Sequence, residues 1–271
     1  MAEITAKLVM ELRDETNLPM MKCKAALTAA NGDKSAAVEW LRKQGIAAAG
    51  TKFEGRETPN GGIGMALADG KGAIVLLGCQ TDFVAGNELF KAFVKELAEL
   101  ALSSGSDSAE ALKTQKHGGL PMNEAIAGKI QQLGENLVIS RVKIVKGAIV
   151  TGYNHGGRIA TLVAGSGDPT KLRQIALHTA SANPAPVGLD RASVDPELVK
   201  KEAEILMATP EVQAKPEAMR EKIVQGKLGR FFKENVLLEQ EMLLDAEKGE
   251  TVEKYAKRHG LAVTGFARLS V

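Results

Sequence analysis

One pattern constrains this 271-residue chain more than any other, because it occurs twice. Strand-type stretches at 63–68 and 73–79 flank Asp69-Gly70-Lys71-Gly72, a short hairpin signal. After 80–86, helical periodicity runs from about 87 to 102, with Leu89, Phe90, Phe93, Val94, Leu97 and Leu100 on one face. The same order returns at 148–153 and 158–164, joined by Asn154-His155-Gly156-Gly157 and followed by a helix. That helix opens on Asp168-Pro169, an N-cap followed by a first helical proline, and carries Leu172, Ile175, Ala176 and Thr179. A tight turn between strands makes them antiparallel, and an amphipathic helix must bury its stripe against something flat. The expected fold class is therefore α+β, a duplicated antiparallel sheet with helices packed on one face of each copy. A strand at 137–145 (Val138, Val142 and Ile144 against Arg141 and Lys143), helices at 124–133 and 251–260, and a closing strand at 261–271 complete the core.

Two regions lie outside the repeat. The first fifty residues read as a three-helix bundle. Ile4, Leu8, Val9 and Leu12 mark the first helix, and Thr16-Asn17-Leu18-Pro19 breaks it. Pro19 suits the first turn of a second helix carrying Met20, Met21, Cys23, Leu27 and Ala30. Asn31-Gly32-Asp33 turns into a third, with Asp33 as N-cap and Gly45 expected at its left-handed end. Residues 50–64, rich in Gly, Thr, Pro and Asn, read as a hinge or tether. Late in the chain, 194–207 and 216–235 read as a charged helical hairpin, its seam expected from Leu198, Ile205 and Leu206 against Met219, Ile223, Leu228 and Phe231. These readings predict a first domain at 1–54, a core subdomain at 55–146, and a second at 147–271 with a helical insertion at about 194–235.

Composition removes several classes of function. Lys+Arg total 35 and Asp+Glu 33, for a net charge of +2. Proteins built to hold a phosphate backbone carry a strong basic excess, so no direct nucleic acid is expected as partner. Only 4% of residues are aromatic, too few for a base-stacking platform. The longest apolar run, Ala73-Ile74-Val75-Leu76-Leu77, is far below the roughly 20 residues that cross a bilayer, so no membrane is expected either. Glu3, Glu11 and Asp14 do not fit a secretory leader, and Cys23 and Cys79 are two isolated cysteines without a CxxC, so a reducing cytoplasm is expected.

Enzymatic signatures are missing as well. Gly64 to Gly72 does not have phosphate-loop spacing, and Gly62-Ile63-Gly64 opens a strand, not a helix. His117, His155, His178 and His259 are scattered without metal-ligand spacing, so no metal, no cofactor and no catalytic residue is expected. Two alternatives remain open from the residues alone: a nucleic-acid-binding protein using the N-terminal bundle, and a hydrolase built on His155 with nearby carboxylates.

The turn Thr81-Asp82-Phe83-Val84 stands between a buried-type strand and a helix. In one reading Thr81 and Asp82 satisfy free amides while Phe83 joins the core. In the other, Asp82 and Phe83 point outward as a charged wedge with an apolar tip. Adjacent Met20 and Met21 cannot both face one core, so one is expected to be exposed, which suits an adaptable docking surface.

Two stretches carry a resemblance to a known family. Leu12-Arg13-Asp14-Glu15-Thr16-Asn17-Leu18-Pro19-Met20-Met21-Lys22-Cys23-Lys24-Ala25-Ala26-Leu27 and Cys79-Gln80-Thr81-Asp82-Phe83-Val84-Ala85 resemble the two signatures of bacterial translation elongation factor Ts. Asn31-Gly32-Asp33, Leu133-Gly134-Glu135-Asn136, His155-Gly156-Gly157-Arg158-Ile159 and Val263-Thr264-Gly265-Phe266 extend the likeness in order along the chain. Leu76 and Gly78 stand where the family usually has an acidic residue and Asn. Asn17 and Pro19 stand where it has Gly, and Lys22 where it has Asp.

The resemblance implies a ubiquitin-associated-like (UBA-like) N-terminal bundle and a guanine-nucleotide exchange factor for elongation factor Tu. It implies that Asp82 and Phe83, flanked by Thr81 and Val84, enter near the partner's magnesium and phosphate site. Arg13, Met20, Met21 and Lys24 would contact the partner's GTPase domain, and Leu133, Gly134 and His155 would face the partner from the core. Some members carry a further helix after the last strand, a contact expected to be missing here. The 194–235 helices could form a homodimer, pack on their own core, or meet the partner.

Overall fold

The structure, a computed structural model, describes residues 4–52 and 55–271, the side chains of 46–52 excepted. Glu3, and residue 54 at which the first domain is expected to end, lie outside the described residues. The chain forms two compact units, one of Met1–Ala66, Ala73–Ile144 and Leu269–Val271, the other of Leu67–Gly72 and Val145–Arg268.

The first unit begins with α1 (Ala6–Thr16), α2 (Met20–Ala29) and α3 (Lys34–Lys52). Thr5 caps α1 by accepting from the Leu8 amide, and Asn17 closes it in the left-handed region at φ 52°. Pro19 stands just before α2, not in its first turn; its carbonyl accepts from the Lys22 and Cys23 amides. Asp33 Oδ1 accepts from the Ala36 amide at 2.8 Å, the cap expected of it. Val9, Leu12, Leu18, Cys23, Ala26, Leu27, Ala37 and Leu41 bury together as the bundle core.

Helix α3 does not stop at Gly45. It continues to Lys52, so the stretch read as a tether is helical at its start and becomes strand again at Asn60. Gly45 is not in the left-handed region, so the helix runs through it, and it faces a neighbouring helix: a Cβ there would meet the tip of the Gln131 side chain at 2.5 Å and the Ala127 carbonyl oxygen at 3.7 Å. A helix-interior glycine costs roughly 1 kcal/mol against alanine, a cost that leaves the helix intact here.

Beyond the bundle come β1 (Asn60–Ala68), β2 (Lys71–Cys79), α4 (Asp82–Ala85), α5 (Glu88–Ser104), α6 (Ala109–Lys113), β3 (Lys116–His117), β4 (Leu120–Pro121), α7 (Met122–Leu133) and β5 (Val138–Lys146). The three-stranded sheet runs β1-β2-β5, and β3 pairs with β4 in a small antiparallel ribbon. Central β2 is buried at all but its first residue. Helix α5 covers the sheet with Phe90, Phe93, Val94 and Leu97, which join Val75, Leu77, Ile139 and Val142 in one core. Leu89, expected on that face, is exposed. Asn87 caps α5 through the Leu89 amide, and Gly105 ends it at φ 72°.

The second unit contains β6 (Ile149–His155), β7 (Ile159–Ser166), α8 (Pro169–Ser181), α9 (Pro196–Ala208), α10 (Pro210–Gln213), α11 (Glu217–Asn235), α12 (Val252–Arg258) and most of β8 (Ala262–Ser270). Its sheet runs β6-β7-β8, with β6 and β7 antiparallel from Ile149 opposite Gly165 to His155 opposite Ile159. Asp168 caps α8 through the Thr170 amide at 2.7 Å, with Pro169 at its first position as expected. Leu172, Ile175 and Ala176 of α8 pack with Val163, Leu237, Val252, Tyr255 and Leu261.

The α9/α11 seam differs from the expected one. Val212, Val224 and Leu228 form its centre, with Val199, Ala203, Leu206, Met207, Ile223 and Phe232 against them. Leu198, Ile205 and Met219 are exposed. Leu206, Ile223 and Leu228 lie in the seam as expected, Phe232 takes the place expected of Phe231, and the extra turn α10 adds Val212 at its centre.

Two polar connections tie this unit together, one buried and one at the surface. His178, 1% exposed on α8, meets Gln240 Oε1 through Nε2 at 3.1 Å and accepts from the Leu243 amide through Nδ1. Arg258 makes a two-pronged bond to Glu250, with Nε and Nη2 each 2.7 Å from a carboxylate oxygen.

Candidate functional site

The turn that follows β2 is built of consecutive caps. Thr81 is extended (φ −124°, ψ 158°), and its hydroxyl accepts from the Val84 amide at 3.3 Å. This caps the one-turn helix α4, which closes with the Gly86 amide on the Asp82 carbonyl at 2.8 Å. The turn read at 80–86 thus contains a helix. Its two sides divide cleanly. Val84 and Ala85 pack against the sheet core. Asp82 is exposed, and Phe83 is 86% exposed. Successive helical residues point about 100° apart. With Val84 and Ala85 turned inward, Phe83 is directed out, so the expectation that it joins the core does not hold.

What fixes this turn is a residue that sequence reasoning did not single out. Helix α7 ends at Gly134, in the left-handed region at φ 79°, whose amide bonds the Ile130 carbonyl. The next residue, Glu135, turns its carboxylate onto the turn: Oε2 accepts from the amides of Gln80 and Thr81, both at 3.0 Å. Its Oε1 accepts from the Thr81 hydroxyl at 2.6 Å. Asn136 adds a bond from its amide to Gln80 Oε1 at 3.1 Å, and Asn60 Nδ2 donates to the Gln80 carbonyl at 2.9 Å. A carboxylate beside a helix C-terminus is disfavoured by the helix dipole, so its placement there signals donors elsewhere. Those donors lie 54 and 55 positions back in the chain, which local periodicity cannot see.

Cys79 completes the turn. Its thiol donates to the Thr81 carbonyl at 3.1 Å. Burial pushes the thiol up to about 11, and the nearby Glu135 carboxylate acts in the same direction. At neutral pH it is a protonated hydrogen-bond donor and not a nucleophile.

The other expected site residues fall on two further surfaces. Arg13 lies in the last turn of α1, and Met20, Met21 and Lys24 in α2, all exposed. Both methionines face water, Met21 at 75%, where one was expected to. Leu133 is half-buried against the sheet core, and Gly134 beside it is exposed. The bundle and the Thr81–Val84 turn share α7: Gln132 Nε2 donates to the Thr16 carbonyl at 2.7 Å, and Arg42 pairs with Glu124 at 2.9 Å. His155, in the second unit, is exposed at the end of β6 with Nδ1 2.9 Å from the Tyr153 hydroxyl.

Among the described residues no group of three or more His, Cys, Asp or Glu is placed to hold a metal ion, and no helix is long and apolar enough to cross a membrane. What the arrangement offers is a rigid projection: one ring and one carboxylate on a capped turn.

Residues 80–271 match the family described as Elongation factor TS. Over 289 aligned residues the chain is 40% identical to Elongation factor Ts of Gluconobacter oxydans (strain 621H), covering 100% of this chain and 93% of that protein. It is 41% identical over 290 residues to the Nitrobacter hamburgensis protein of the same name, again covering 100% of this chain and 93% of that one. Identity to the Rhodopseudomonas palustris (strain BisA53) protein is 43% over 263 residues, 92% of this chain and 84% of the relative.

Proposed function

This chain belongs to the elongation factor Ts family, the cytoplasmic, non-catalytic exchange factors that act on elongation factor Tu during translation, and from that premise we propose that α4 is its working tip. Phe83 enters the partner's nucleotide site as a wedge and Asp82 disturbs the groups that hold its magnesium, with Thr81 and Val84 setting their direction. The observation that carries this reading is Phe83, 86% exposed on a turn whose Thr81 and Val84 amides are both held by hydrogen bonds. A large ring fixed in water has its burial still to come, and that burial is available only to a docked partner.

Arg13, Met20, Met21 and Lys24 serve as the bundle's contact with the GTPase domain, and Leu133, Gly134 and His155 as contacts from the core. Exposed methionines suit such a role, since the thioether packs on irregular surfaces. The working division that accompanies this reading is 1–54 for the bundle, 55–146 for the first subdomain and 147–271 for the second.

Exchange of this kind needs no covalent step. A nucleotide held at about nanomolar affinity is bound by about −12 kcal/mol. Speeding its release about 10⁴-fold takes some 5.5 kcal/mol of relative barrier lowering, which a docking interface supplies by favouring a partner state that has lost phosphate and metal contacts. Linkage makes the effect mutual: the factor weakens nucleotide binding, and nucleotide weakens binding of the factor by the same free energy. GTP then displaces the factor.

Release of a fluorescent GDP analogue from purified elongation factor Tu tests the reading. The chain is expected to accelerate release, and Asp82→Ala/Phe83→Ala to lose most of that acceleration while keeping its circular dichroism spectrum. Parental release rates in the double variant would overturn it.

We propose further that the 194–235 helices form a homodimer, on the support of Leu198, Ile205 and Met219 being exposed. Sedimentation equilibrium is the check: Ile205→Glu with Met219→Glu should leave a monomer, and an unchanged mass in that variant refutes this pairing.

A further inference from the structure

We infer that Glu135 is a positioning residue for exchange: its carboxylate holds the 80–81 backbone so that Asp82 and Phe83 are presented to the partner already in their docked direction. The inference rests on the wedge reading and goes beyond it to a residue that touches no nucleotide. Three donors converge on one side chain, the amides of Gln80 and Thr81 and the Thr81 hydroxyl, all within 3.0 Å. The Thr81 hydroxyl is itself the cap acceptor for Val84. Glu135 therefore sets the rotamer of the residue that starts α4, and α4 directs Phe83. Asn136 and Asn60 hold Gln80 from its side chain and its carbonyl, so the same short backbone segment is fixed from β1 and from the end of α7.

The physical effect is preorganisation. A turn that orders only on docking subtracts its ordering entropy from the interaction, and a turn ordered in the free protein does not. Loss of the clamp leaves the tip present but poorly aimed, and in positioned chemistry a misplacement of about 1 Å can cost as much as a hundredfold in rate. The carboxamide of Gln keeps the length of Glu and one acceptor oxygen for the two amides, and its NH₂ can donate to the Thr81 hydroxyl. Asp is one methylene too short to reach.

GDP release from elongation factor Tu, followed against factor concentration, separates a plateau rate from a half-saturating concentration. Glu135→Ala and Glu135→Asp are expected to lower the plateau roughly tenfold, with Glu135→Gln restoring most of it and all variants half-saturating near the parental concentration. Amide hydrogen exchange on the free proteins gives a reading independent of activity: the Gln80 and Thr81 amides should exchange at least about tenfold faster in Glu135→Ala, with the β2 core amides unchanged. In combination with Asp82→Ala/Phe83→Ala, Glu135→Ala should add little further loss, as expected of residues acting through one another.

A parental plateau in Glu135→Ala, or losses that multiply in the combined variant, overturns the positioning role. Should Glu135→Ala lose its thermal unfolding transition, the Asp and Gln variants carry the same comparison. Failure of the wedge reading looks different: there the Asp82→Ala/Phe83→Ala factor itself drives GDP release from elongation factor Tu at the parental plateau.

Discussion

The side-chain amide of Gln132 donates a 2.7 Å hydrogen bond to the carbonyl oxygen of Thr16, the last residue of α1. Final carbonyls of a helix have no partner inside it, so α7 completes α1 from another part of the chain. Gln132→Ala is expected to cost about 1 kcal/mol, the usual net value of such a bond. Urea unfolding measures it. Gln132→Glu should cost more, because a carboxylate would then face a carbonyl oxygen at the negative end of a helix. Equal stability of all three proteins would show that the bond contributes nothing.

Phe83 and Phe93 make a matched pair for separating docking from folding. Phe93 is fully buried in the α5 core, and its truncation to Ala should cost about 3–5 kcal/mol. The same change at exposed Phe83 should stay within about 0.5 kcal/mol. Thermal melts of the two variants decide. A large loss at Phe83 would mean that the ring supports the fold and not the interface.

Cys79 should be silent toward thiol reagents. Its thiol titrates near 11, above its ordinary 9.0, so at pH 8 little thiolate exists in the folded chain. A disulfide exchange reagent should react with it only on unfolding. The sign for stability follows: a raised value contributes stability fully present below pH 9.0 and lost as pH rises through about 11. Tyr255, pushed from 10.0 to about 12 first by burial and then by its bond to Asp245, acts in the same sense. Melting temperatures should therefore fall between about pH 9 and 12. Rapid thiol labelling under native conditions would contradict the geometry.

Acid weakens the second unit in two windows. Burial lowers the basicity of His178, so it is neutral when folded; stability present above its ordinary 6.5 is lost as pH falls below that value. Glu250 is held down to about 2, chiefly by its two bonds from Arg258, so its share is present above 4.5 and lost as pH falls toward 2. Arg258→Ala should flatten the lower window and leave the upper one unchanged. A single slope that this substitution does not alter would show that the pair has no influence on acid stability.

Local chemistry was readable where partner and signal lie close in the chain. The Asp168-Pro169 cap, the Asp69-Gly70 hairpin and the α5 face through Phe90, Phe93 and Leu97 all follow from spacing, because caps, turns and stripes act over four residues or fewer. Gly45 does not end α3 because it keeps the right-handed conformation beside α7, and spacing alone does not distinguish a helix-ending glycine from one inside a helix. The α9/α11 seam is legible in part: Leu206, Ile223 and Leu228 lie in it, while Val212 enters from the short helix α10, which the spacing of the two long helices does not predict. At the site, the signature around Asp82 and Phe83 was visible, and its support was not. Glu135 acts across 54 residues, a separation at which no periodic pattern survives.

Helix α7 is one stiff member of 12 residues, about 18 Å long, that touches α3 through Glu124 and Gln131 and holds the Gln80–Thr81 backbone just past its end. Its length therefore works as a gauge. Inserting one residue into it would advance everything beyond by about 1.5 Å and rotate it by about 100°, swinging Glu135 off its three donors without altering any residue of the turn itself. Loops such as the one after Gly105 can lengthen or shorten without such an effect. Changes in chain length should therefore be borne in the connections of this fold and excluded from α7.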